Sequence, residues 1–271
     1  MNNGDRAKET ESDKPETMFA EERKIKILEV ITQNETVTVA ALTRQFRVSG
    51  ATIRNDLREL EKAEMIIRTH GGAMTKSRAG YEPDSLHKEE QYIEERRRIA
   101  EVASGLVEDG DVIVLDTGTT TLEVAKRLKD KRQVTVVTND LEIARVLEEF
   151  EGISTVLMGG ILRKHFHCVV GFPGREMLAG FVVDKAFMGT NSFSLLHGAT
   201  TPDISTAETK KAMIGIANKI ILVCDSHKIG KTSFVQFAAV DDIDILVTDE
   251  TRDTEIRKFE EAGIEVIRVA G

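Results

Sequence analysis

The run Asp116-Thr117-Gly118-Thr119-Thr120-Thr121 follows the apolar stretch Val112–Leu115 and leads into an amphipathic segment. A glycine-threonine turn at a helix start offers backbone N–H groups, hydroxyls and the positive end of the helix dipole, which together suit a phosphate. Lys210 and Lys228 can supply compensating charge, and Asp116, Asn139 and Asp225 can bond sugar hydroxyls. Plain helix capping also accounts for the threonines, and Asp225-Ser226-His227-Lys228 also reads as an ordinary polar turn. His165 and His167 lack the Cys/His spacing of a metal site and read as solvated loop. Glu208 and Asp184 are the carboxylates to weigh as general bases for aldose–ketose interconversion, though neither sits in a recognisable catalytic motif.

A second group of candidates lies nearer the N-terminus. Thr38 can cap a short helix over 39–46, Arg47-Val48-Ser49 forms a turn, and Ser49 can cap a longer helix reaching about Lys62. This is helix-turn-helix spacing, whose second helix fits the DNA major groove. Ile53, Leu57 and Leu60 face inward at i, i+4, i+7, which leaves Thr52, Arg54, Asn55 and Arg58 outward. Arg54 or Arg58 can pair bidentately with guanine and Asn55 with adenine, while Thr52 reaches a phosphate or a thymine methyl. Arg44 is placed for backbone phosphate. After a strand at 65–69, Gly71-Gly72 reads as a hairpin tip, with Arg68 and His70 on a wing against the sugar-phosphate backbone. Small helical units of this kind also serve as dimerisation or docking modules.

The elements that must position these residues divide the chain. Residues 1–17 are polar and aperiodic and read as a disordered tail, 18–75 as a winged helix-turn-helix, 76–96 as a charged linker turning helical near Glu94, and 97–271 as an α/β domain. In that domain apolar runs at 112–115, 134–137, 154–157, 185–188, 220–224, 243–247 and 264–268 alternate with helical patterns such as 121–128 and 141–149. The fold class expected is α/β, a winged helix-turn-helix plus a larger domain with a mainly parallel sheet. Small, hydroxylic and acidic residues follow these strands: Asp116, Asn139, Gly160, Gly189, Asp225 and Asp249. The carboxyl edge of an open α/β sheet is where ligands bind.

The net charge of −9 over 271 residues argues against nucleic acid until its distribution is read. Residues 39–78 hold eight Lys or Arg against four Asp or Glu, and 79–271 hold 23 against 33. A small basic unit joined to a large acidic one suits a DNA reader with a separate sensor; chance segregation of solvated charge is the alternative. With two cysteines, a polar N-terminus and no long apolar run, the sequence reads as cytoplasmic and not membrane-bound.

The segment TVTVAALTRQFRVSGATIRNDLRELEKAEMIIRTHGGAM resembles the N-terminal signature of the DeoR-type repressors of sugar metabolism. LDTGTTTLEVAKRL, VVTNDLEIARVL, VLMGGILRK, DKAFMGTNSF and VCDSHKIG resemble that family's sensor domain, in order and spacing, so the resemblance spans 18–271. It implies a repressor of a carbohydrate-catabolism operon, released from operator DNA by a phosphorylated sugar, working as a dimer or tetramer. It also implies a sensor similar in fold to ribose-5-phosphate isomerase but without turnover, needing no cofactor or metal. By the same resemblance the 116–121 loop is similar to the phosphate cradle, and Lys210 and Lys228 match positions lining the pocket. Two positions depart from the pattern. Arg47 stands where glycine is usual, and a left-handed Arg costs roughly 1 kcal/mol. Arg54-Asn55 replaces two successive arginines, which alters the operator expected. A repressor answering to a protein partner is the third reading, after the sensor and the enzyme.

Overall fold

The computed structural model describes residues 19–34, 36–63, 65–69, 71–75, 82, 92–249 and 253–269. The tail expected over 1–17 and most of the linker expected over 76–96 lie outside them, as does His70. The chain divides into two compact units at the Ser77–Arg78 junction.

The first unit contains α1 (Ala20–Asn34), β1 (Thr36–Thr38), α2 (Val39–Phe46), α3 (Gly50–Lys62), β2 (Ile66–Thr69) and β3 (Gly72–Thr75). Thr38 and Ser49 cap α2 and α3, accepting from the amides of Ala41 and Thr52. Arg47 between them is left-handed, at φ 52° and ψ 36°, so the turn keeps the glycine-type conformation and takes the strain of a side chain there. Ile53, Leu57 and Leu60 of α3 are buried against Ile27 and Ile31 of α1 and Leu42 of α2. The three strands form an antiparallel sheet in the order β1-β3-β2. Gly72 opens β3 rather than sharing the hairpin tip, because a Cβ there would lie 2.0 Å from the Val37 carbonyl oxygen of β1. The sequence also hid an ion pair. Asp56, on the inward face of α3, takes two hydrogen bonds from the Arg23 guanidinium at 2.7 and 3.1 Å, and both residues are buried.

The second unit is built on a seven-stranded parallel sheet. Its strands are β4 (Val112–Leu115), β5 (Val134–Thr138), β6 (Ile153–Leu157), β9 (Val183–Gly189), β12 (Ala217–Val223), β14 (Ile245–Thr248) and β15 (Glu265–Arg268). Their order is β15-β14-β12-β9-β4-β5-β6. Alternate residues feed two cores. Ile113, Leu115, Phe187, Ile221 and Val247 meet helices α4 (Ile93–Gly105), α5 (Thr119–Lys126) and α6 (Leu141–Leu147). Val114, Met188, Leu222 and Leu246 meet the other layer. That layer holds α7 (Phe172–Leu178), α8 (Ile204–Ile214), α9 (Asp253–Glu261) and an antiparallel sheet of β10 (Ser192–Ser194), β11 (Gly198–Thr201) and β13 (Val235–Ala238). A small hairpin, β7 (Ile161–Arg163) with β8 (Cys168–Val170), follows β6.

The chain leaves β4 toward β5 and β6, then crosses to β9 on the other side of β4. The order reverses between β4 and β9, and the loops after these two strands diverge there. That reversal opens a crevice at the carboxyl edge.

Candidate functional site

The first candidate surface is α3. Thr52 is half-buried, and its hydroxyl lies 2.8 Å from that of Ser49. Arg54, Asn55 and Arg58 are exposed, and Arg44 of α2 is exposed. Asn55 bridges its neighbours, donating to Glu59 at 3.1 Å and accepting from Arg58 at 3.2 Å, so two side chains on the reading face are held in mutual register. Arg68 on β2 pairs with Glu61 at 3.5 Å. The structure thus presents Arg54, Asn55 and Arg58 together on one exposed stretch of α3, and Arg68 on the wing strand.

The second site is the crevice at the strand reversal. It is an open cleft with about 570 Å³ of empty space, counting the solvent at its mouth. Gly118, Thr119, Thr120, Lys210 and Lys228 are among its lining residues, together with Arg163, Phe166, Thr190, Asn191, Thr206 and Glu82. Gly118 adopts φ 149°, a conformation that side chains strain, and so turns the chain sharply from β4 into α5. The first N–H groups of α5 have no intrahelical acceptor, so the Thr119–Thr120 end of the helix can receive an anion.

The other expected effector residues stand behind this surface and hold it. Asp116 is fully buried; it accepts from the Lys210 ammonium and, at 3.0 Å, from the Gly189 amide. Lys210 also donates to the Gly189 carbonyl at 3.0 Å, so Asp116 locks β4, β9 and α8 together. Burial raises the Asp116 carboxyl, against the pull of Lys210. Asp225 is buried and pairs with Lys228 at 2.8 Å. Burial pulls the Lys228 ammonium down, but the attraction of Asp225 prevails and leaves it above the ordinary lysine value. Thr121 turns inward and donates to the Gly118 carbonyl at 2.9 Å. Asn139 is buried and donates to Val169, tying the β7–β8 hairpin to the end of β5. Gly160 is needed for that hairpin's approach, since a Cβ would lie 2.7 Å from the Val170 carbonyl oxygen.

Sequence reading missed Arg163, Phe166, Thr190, Asn191 and Glu82 on this surface. Arg163 stacks over the Phe166 ring at 3.8 Å, donates to Glu82 at 2.7 Å and lies 4.0 Å from Asp203. Asn191 donates to Glu82 at 2.9 Å and accepts from Thr201. The available signal was positional, because Thr190 and Asn191 directly follow Gly189 at a strand's carboxyl end. Asp140 caps α6 and accepts from Thr117 at 2.6 Å, and burial raises its carboxyl. Neither candidate base lines the cavity. Glu208 pairs with Arg175 at 2.7 Å, and Asp184 accepts from the Val112 amide at the opposite end of β4. His165 and His167 lie between β7 and β8 with φ of 69° and 53°. No group of three or more His, Cys, Asp or Glu among the described residues could hold a metal ion.

Residues 23–79 match the DeoR-like helix-turn-helix domain, and residues 91–250 match the DeoR C terminal sensor domain. The chain belongs to the DeoR family. It is therefore a DNA-binding transcriptional regulator and not an enzyme. It is 38% identical to the transcriptional regulator GlpR of Haloferax volcanii, over 92% of this chain and 98% of that one. It is 36% identical to the transcriptional repressor GlcR of Bacillus subtilis, over 86% and 89%. Among solved structures, ribose-5-phosphate isomerase from Methanocaldococcus jannaschii matches 49% of this chain and 53% of its own, at 20% identity and a TM-score of 0.37, too slight a likeness to inform the chemistry. In DeoR terms, α3 lies in the helix-turn-helix match, and the sensor match contains every lining residue of the cavity except Glu82. No helix among the described residues is long and apolar enough to cross a membrane.

Proposed function

We propose that this DeoR-family regulator represses a carbohydrate-catabolism operon and leaves its operator when a phosphorylated sugar, or a sugar-like effector, enters the cavity. One observation carries the reading. The start of α5 at Gly118–Thr120 lines the same cavity as Lys210, Lys228 and Arg163. Helix N–H groups, hydroxyls and cations converging at a strand-order reversal suit a phosphate monoester. Asn191, Thr190 and Thr206 line the same cavity, where the sugar hydroxyls would lie. Arg54, Asn55 and Arg58 read base edges, Arg44, Ser49, Thr52 and Arg68 hold phosphates, and the regulator works in the cytoplasm as a dimer or tetramer on paired half-sites.

The test is a fluorescence-anisotropy titration of the full chain on duplex DNA that it has selected from a random pool, against a panel of phosphorylated sugars. The expected result is at least a tenfold loss of DNA affinity with one of them, equivalent to about 1.4 kcal/mol of coupling. Thr119→Trp abolishes that response and leaves DNA affinity unchanged. A panel without any response, or a Thr119→Trp variant that responds normally, removes the effector half of the proposal and transfers it to a protein partner.

A further inference from the structure

The cations of the cavity are already neutralised. Lys210 pairs with Asp116, Lys228 with Asp225, and Arg163 with Glu82. A phosphate entering this site meets little net positive charge unless one carboxylate gives way. The three differ in how they are held. Asp116 and Asp225 follow the ends of β4 and β12, and their side chains are 0% and 3% exposed. Asp116 is fixed further by the Gly189 amide. Glu82 belongs to none of the strands or helices of the fold, and its side chain is 9% exposed. It alone of the three lines the cavity, and its carboxylate accepts from Arg163 at 2.7 Å and from Asn191 at 2.9 Å.

We infer that Glu82 is a built-in competitor for the effector: its carboxylate holds Arg163 and Asn191, and an entering phosphate takes Arg163 by displacing it. This rests on the proposed phosphate site and adds what that site must give up. Displacement costs the Glu82–Arg163 pair and returns a phosphate–Arg163 pair, which is stronger because a dianion replaces a monoanion and bonds the guanidinium bidentately. Phe166 keeps the guanidinium plane in place while its partner changes. Glu82 lies five residues beyond Ser77, where the first unit ends, and outside both family matches.

The experiment is calorimetric titration of the full chain with inorganic phosphate at fixed ionic strength. Glu82→Gln keeps the size of the side chain and an acceptor for Asn191 but no longer competes as an anion. It is expected to bind phosphate about tenfold tighter than wild type, as removal of a close competing charge should give. Adding Arg163→Met to Glu82→Gln cancels the gain. Glu208→Gln, which removes one negative charge from the Arg175 pair off the cavity, leaves affinity at the wild-type value. Glu82→Ala must move affinity in the same direction, which covers the case of a Gln variant that folds poorly. Equal binding by wild type and Glu82→Gln overturns the competitor role and leaves the phosphate site standing. So does a gain that survives loss of Arg163 or is matched by Glu208→Gln. Binding by none of the proteins overturns the phosphate site and the competitor together.

Discussion

Lys210→Met separates what the Lys210–Asp116 pair does for stability from what it does for the effector. The Lys210 side chain is 4% exposed and that of Asp116 0%, so removing the ammonium leaves a carboxylate with no access to water. Breaking one half of such a pair costs about 3–5 kcal/mol, mostly the desolvation of the charge left behind. For a unit of this size that is a fall in melting temperature of roughly 6–20 °C. Methionine suits the space, because the end of the Lys210 side chain already lies over the Phe237 ring, with Nζ 5.0 Å from its centroid. The companion variant Asp116→Asn/Lys210→Met removes both charges and recovers most of the loss, as replacement of whole buried pairs does. The effector response follows a different rule. Both variants lack the cation that faces the phosphate, so both lose DNA release by sugar phosphate when measured well below their melting points. Differential scanning calorimetry and operator anisotropy read the two effects in the same samples. A double variant that is less stable than Lys210→Met, or a Lys210→Met protein still released normally by effector, refutes the reasoning.

Three further outcomes are expected. Arg54→Ala costs about 1–3 kcal/mol of operator binding and relaxes preference at one base pair, whereas Arg44→Ala weakens all sequences alike and lowers the salt slope by about 1; competition anisotropy at several salt concentrations distinguishes them. Arg47→Gly raises the stability of the first unit by up to about 1 kcal/mol in urea titration, because its φ of 52° costs a glycine nothing. Cys168 resists iodoacetamide at pH 8 in the folded protein and reacts on unfolding, since burial pushes its thiol up to about 11 and leaves about one molecule in a thousand as thiolate.

The large sheet was legible because its inner strands β4, β5, β12 and β14 are buried along most of their length and read as largely apolar runs. The edge strands β6 and β15 are only partly covered, yet they keep enough apolar residues that all seven expected runs fall on β4, β5, β6, β9, β12, β14 and β15. Most strands outside that sheet leave no such mark, and β1, β7, β8, β10, β11 and β13 went unseen. That omission accounts for most of what was missed in the cavity. Arg163 ends β7, Phe166 lies between β7 and β8, and Asn191 precedes β10. Long-range pairing was equally invisible. Asp56 counted as one more charge on α3, yet it faces inward to Arg23, 33 residues earlier. Asn139 and Gly160 were expected to face a ligand because they follow strands, a rule that locates the edge of the sheet but not which side chains there point outward. Thr121 shows the same limit from the next position of a helix, since its hydroxyl closes the turn on Gly118 while Thr119 and Thr120 line the cavity.

The way the charges are paired also explains how one cavity can be both rigid and responsive. Asp116 and Asp225 join strand ends to Lys210 and Lys228, so they fix where an anion is received, and neither can leave without unpairing the cation it holds. Fixed donors of this kind bind without reorganising, which favours affinity but reports nothing to the rest of the chain. Arg163 differs because its carboxylate comes from Glu82, which lies in none of the strands or helices of the second unit. A ligand shifts an equilibrium only by its differential affinity for the two states. Here that difference is the exchange of Glu82 for phosphate on a single guanidinium, so sugar contacts elsewhere in the cavity set which effector binds while the Arg163 exchange sets whether binding is felt. Effector analogues lacking the phosphate therefore bind weakly and leave DNA affinity unchanged, a separation visible when calorimetry and anisotropy are run on the same compound.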